Sequence, residues 1–86
     1  MAELSANAIK LLKHFQDNKL RVAAYEYSKS IRDLFSDSAA ASAAQQELEV
    51  AGLLALGKVR PSHEPSGVRA SALTREGAQY LADHPL

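Results

Sequence analysis

The stretch S36-DSAAASAAQQELEVAGL-L54 decides how the rest of this 86-residue chain is read. Asp37 and Ser38 are residues that cap a helix start, because their side-chain oxygens accept otherwise orphaned backbone N–H groups. The alanine-rich run that follows predicts a helix over about 38–51, and Gly52 is placed to end it. Ala41, Ala44, Leu48 and Ala51 form its expected inner face. Three of these four are alanine, so neighbouring elements should approach closely. Ser42, Gln45, Gln46 and Glu49 are assigned to the opposite, outer face. Over the whole stretch there is no Lys or Arg.

Outward from this helix, residues 5–17 predict a first helix, with Ser5 as N-cap and Ala8, Ile9, Leu12 and Phe15 on one face. Leu20 and Val22, alternating with Arg21, suggest a very short strand over 20–23. Ala24, Tyr27, Ile31 and Leu34 recur at helical spacing and predict a second helix over 24–35, with Tyr27 in the core and Tyr25 partly exposed. After Gly52, two apolar runs flank a tip containing Pro61, Pro65 and Gly67, the pattern of a β-hairpin. Thr74 then caps a closing helix through "REGAQYLADH", with Ala78, Leu81 and Tyr80 facing the core. Gly77 inside that helix is expected to weaken it by about 1 kcal/mol relative to alanine. Pro85 ends it.

Composition narrows the function classes. A chain of this length makes one domain, here taken as residues 1–86, with one modest core. There is no cysteine, so disulfides and thiolate chemistry are excluded, in keeping with a cytoplasmic setting. No segment reads as a signal peptide or a membrane span. The three histidines, His14, His63 and His84, lack ligand spacing, and no nucleotide-binding glycine motif is present. Neither an enzymatic activity nor a metal or other cofactor is expected.

Net charge is zero but unevenly distributed. Lys10 to Arg32 holds six bases against two acids. Asp33 to Gly57 holds four acids and no base. Lys58 to Arg75 holds four bases against one acid. A polyanion would avoid the middle segment and meet its flanks.

The order helix, short strand, helix, turn, helix, hairpin, helix resembles a winged helix-turn-helix, an α+β fold with a three-helix core, a β-hairpin wing and a C-terminal helix. The resemblance rests on "QQELEVAGLLALGKVR" (45–60) and "ALTREGAQYL" (72–81). These are similar to the passage from recognition helix into wing, and from wing into the next helix, in small bacterial and phage regulators of the MarR and PadR type. It implies a DNA-binding transcriptional regulator working as a dimer on double-stranded DNA. Ser42, Gln45 and Gln46 would read bases in a major groove. Lys29 and Arg32 on the second helix, with Lys58, Arg60, His63 and Arg69 on the wing, would hold phosphates. Two departures stand out. The chain lacks the long flanking helices through which MarR-like proteins dimerise, and the presumed recognition helix has no basic residue. The competing expectation is therefore a winged helix that binds protein through its acidic third helix, as an adaptor, an antirepressor or an inhibitor of a host complex. Met1, Leu4, Leu11 and Leu86 are the candidate contacts of a homodimer.

Overall fold

The computed structural model describes residues 4–26, 28–57 and 68–86. They form an α+β unit of four helices and a two-stranded antiparallel sheet. The order is α1 (Ala6–Asp17), α2 (Ser28–Asp33), α3 (Ser38–Val50), β1 (Leu54–Leu56), β2 (Ser71–Leu73) and α4 (Arg75–Asp83). Leu54 pairs with Leu73, Ala55 with Ala72 and Leu56 with Ser71. The expected hairpin tip lies outside the described residues, as does Tyr27. None of the described helices is long and apolar enough to cross a membrane.

Local chemistry explains the helix ends. The Ser5 side chain accepts the Ala8 N–H, Asp37 accepts that of Ala39, and Thr74 accepts that of Gly77. Each hydroxyl or carboxylate satisfies a donor that the first turn leaves without a helical partner. Gly52, at φ +79°, turns the chain out of α3 into β1. Thr74 also donates its hydroxyl to the Gly52 carbonyl at 2.6 Å, so one side chain fastens the end of α3 to the start of α4.

Helices α1 and α3 pack together, with β1 against α3 and α4 against β2. The core between them contains Ala8, Leu11, Leu12, Phe15, Ile31, Ala41, Ala44, Leu48, Leu53, Leu54, Val68 and Leu73. Tyr80 and Leu81 of α4 pack on it as expected. The inner stripe of α1 differs from expectation. Leu11 is fully buried and Ile9 is turned outward. Ala8, Leu11, Leu12 and Phe15 follow the i, i+3, i+4, i+7 pattern of one helical face, whereas Ile9 falls beside it. Leu11 is thus core, and it is not available as a dimer contact. Leu4 also packs against the core, and Met1 lies outside the described residues.

The second helix is shorter than its apolar stripe predicts. Residues 22–26 instead lie along β2. Glu26 and Ser71 exchange both backbone hydrogen bonds, at 2.6 and 3.1 Å, and the Ala23 N–H donates to the Leu73 carbonyl. Ala23 takes a left-handed φ of +66°, which a helix starting at 24 could not follow from smoothly. The expected strand at 20–23 is accordingly a single isolated bridge, Val22 with Leu73, and a second bridge, Glu26 with Ser71, falls where the second helix was expected to start. Side chains support this placement. His14 Nε2 lies 2.7 Å from Glu26 Oε2, while Asn18 donates to His14 Nδ1 at 3.3 Å. The His14–Glu26 contact ties the bridged segment to α1.

Candidate functional site

The two faces of α3 differ in burial more than in residue type. Ala41, Ala44, Gln45 and Leu48 are buried. The exposed residues are Ala39, Ala43, Gln46, Glu49 and Val50, with Ser42 half-buried at the margin. Ala39, Ala43, Gln46 and Val50 follow each other at spacings of four, three and four, so they lie along one side of the helix. Val50 is 87% exposed, the most exposed large apolar side chain among the described residues.

Gln45 is a correction to its expected place. It is 1% exposed and cannot reach a base edge. Its amide is clamped to the chain just before β2. Nε2 donates to the Arg69 carbonyl at 2.6 Å and to Ser71 Oγ at 2.7 Å, while Oε1 accepts the Arg69 N–H at 3.1 Å. The glutamine amide thus offers one donor side and one acceptor side to a single backbone residue. The spacing already contained this result, because 41, 45 and 48 stand in the i, i+4, i+7 relation of one helical face. A polar residue type concealed it.

The acids on this side are partly engaged. The Asp37 carboxylate caps α3 by accepting the Ala39 N–H at 3.0 Å. Glu47 accepts from both the N–H and the hydroxyl of Ser5, at 2.7 and 2.6 Å. These two bonds favour the charged form and hold the Glu47 carboxyl below its ordinary value of 4.5. A lowered folded value means that the contact stabilises the protein at pH above 4.5. That contribution fades as pH falls through the folded value. In urea titrations from pH 7 to pH 3, Glu47→Gln is expected to be less stable than the parent at neutral pH, with the difference closing on acidification. A pH-independent difference would remove the ionised carboxylate from this role. Glu49 remains exposed beside Val50.

Three expected phosphate ligands can be located. Lys29 and Arg32 are exposed on α2, and Arg32 Nε lies 3.8 Å from Asp33 Oδ1. Arg69 is half-buried, and the Gln45 clamp on its backbone keeps it beside α3. Lys58, Arg60 and His63 lie outside the described residues. Ser42 and Gln46 are on the accessible side of α3, as expected, and Tyr25 is exposed beside the sheet. Among the described residues, no three His, Asp or Glu side chains converge as metal ligands would. No family model, curated protein or solved structure matches this chain.

Proposed function

We propose that this chain is a protein-interaction module of winged-helix form, whose third helix docks on a partner protein presenting an apolar centre with a basic surround. The observation that carries this reading is the outer face of α3. It offers Ala39, Ala43 and Val50 with Gln46 between them, and Glu49 at its edge. Alanines let a partner side chain come close to the helix, and Val50 supplies apolar area to bury. Helices that grip DNA draw affinity from cations placed against phosphates. Here the exposed or half-exposed Lys29, Arg32 and Arg69 are balanced by Asp33, Asp37 and Glu49.

The test is a photo-activated cross-linker at Ala43, with the same group at exposed Gln79 on α4 as the control. One discrete protein adduct is expected from position 43 and none from 79. The cross-linked partner segment should be apolar and flanked by Lys or Arg. Adding Val50→Lys should weaken capture about 10- to 100-fold, since burying a valine contributes about 1.5–3 kcal/mol. The melting temperature should not move, because Val50 touches little of its own chain. Absence of a site-specific adduct, or capture indifferent to Val50→Lys, would sink the proposal.

A DNA-binding regulator, active as a dimer on duplex DNA, is the second reading. Arg69 held beside α3 and the exposed Lys29 and Arg32 on α2 favour it. Duplex titrations at ~50 and ~200 mM salt separate the two, because phosphate contacts weaken steeply over that range. Strong binding at the lower salt that collapses at the higher would put DNA in place of the protein partner.

A further inference from the structure

A groove of about 460 Å³ lies away from α3, between the end of α1, the chain at 19–21 and α4. Its volume falls within the range of small-molecule sites. Phe15, Leu73 and Leu81 are among its apolar lining residues, and Lys19 and Arg21 are its two charged ones. No acid lines it.

The fold sets the backbone positions from which the two exposed cations extend. At the end of α1 the Lys19 N–H donates to the Gln16 carbonyl and the Leu20 N–H to the Phe15 carbonyl, both at 3.1 Å. This pair of bonds is a Schellman closure, in which the residue after the cap takes a left-handed φ. That residue is Lys19, at +53°. Glycine is the usual occupant there, and a side chain at such a φ costs roughly 1–2 kcal/mol. The closure folds Leu20 back into the groove wall and brings Lys19 and Arg21 to its rim. At another edge the Gln16 amide donates to the Leu86 main-chain oxygen at 2.8 Å and accepts the Leu86 N–H at 3.0 Å. This clamp holds the chain that carries Pro85 as a wall. The acids at the ends of the same two helices have partners of their own. Asp17 lies 3.4 Å from Lys13 Nζ, and Asp83 accepts from Gln79 at 2.9 Å.

We propose that this groove binds a small amphipathic carboxylate with an alkyl chain. The chain would lie over Phe15, Leu73 and Leu81, and the carboxylate between Lys19 and Arg21. An apolar floor favours the alkyl part, and a guanidinium fork with an ammonium favours the carboxylate. This site is independent of the α3 face and of whatever that face binds.

The test is a titration of isotope-labelled protein with decanoate, below its micelle concentration, followed by amide chemical shifts. Saturable shifts are expected at Gln16, Lys19, Leu20, Arg21 and along Ala78–Ala82, with α3 unchanged. Decanol, which has the same chain without the charge, should bind at least tenfold more weakly. Lys19→Gln with Arg21→Gln should weaken decanoate at least tenfold and leave decanol and the urea midpoint unaltered. Ala78→Leu, which fills the lining, should weaken both ligands. Non-saturable shifts, shifts centred on another face, or equal binding of decanoate and decanol would each overturn the proposal.

Discussion

Gly77→Ala is expected to destabilise the protein by about 3 kcal/mol or more, against a gain of about 1 kcal/mol expected from helix propensity alone. The sign turns on one close approach. A Cβ at position 77 would stand 2.1 Å from the Leu53 carbonyl oxygen, 3.0 Å from its carbonyl carbon and 3.1 Å from Leu73 Cδ2. The first two are backbone atoms between α3 and β1, so no rotamer change relieves the clash. Nor can α4 slide freely, because the Gly77 N–H is held by the Thr74 hydroxyl and that hydroxyl is bonded to Gly52. Opening the contact would lift α4 from β2 and expose Leu53 and Leu73. At the usual 0.05–0.15 kcal/mol per residue, the whole domain has about 4–13 kcal/mol to lose. Urea denaturation measures the effect. Gly52→Ala is the comparison: its φ is left-handed, but nothing lies within 4 Å of the added carbon. It should cost about 1–2 kcal/mol, from backbone strain only. Gly77→Ala proving neutral or stabilising would show that the helix and sheet are not in contact at this point.

Gln45→Leu is the second large effect. The replacement keeps much of the volume and removes both polar ends of the amide. It removes the acceptor of the Arg69 N–H and the amide donor shared by the Arg69 carbonyl and the Ser71 hydroxyl, which keep their 3.3 Å bond to each other. A buried polar group deprived of its partner costs about 1–3 kcal/mol, so a total loss of about 2–4 kcal/mol is expected. With a shift of about 4–8 °C per kcal/mol for a domain this size, the melting temperature should fall by roughly 8–32 °C. Amide exchange gives the specific signature. The Arg69 N–H should lose protection beyond the global change, while the α1 amides follow the global change only. A uniform loss, with Arg69 no more affected than α1, would mean that the clamp does not hold the approach to β2. The same clamp positions Arg69 beside α3, so its loss should also alter any binding that depends on that arginine.

Several features could be read from the residues because they depend on neighbours in the chain. Ser5, Asp37 and Thr74 cap the helices that follow them, and a cap needs only a short polar side chain two or three residues before the N–H it accepts. Gly52 ends α3 because only glycine enters the left-handed region without strain. Ala41, Ala44 and Leu48 face inward by helical period alone. The candidate surface was half legible in the same way. Gln46 and Ser42 lie where spacing puts them, whereas the exposure of Val50 is the counterpart of the buried stripe opposite, and an apolar residue type does not announce it.

The sequence by itself determined where α1, α3 and α4 begin and stop, that the chain is an α+β unit, and that α3 would present no positive charge. Tertiary structure alone decided which groups separated along the chain meet. The helical pattern at 24–26 gave way to pairing with β2 because Ser71, 45 residues away, supplies the two backbone bonds that Glu26 takes. Gln45 turned inward because the backbone of Arg69 matches its amide, and Gly77 became indispensable because Leu53 passes against it. Each outcome depends on a partner whose arrival is set by packing, and local preferences of about 1 kcal/mol or less yield to contacts of that size.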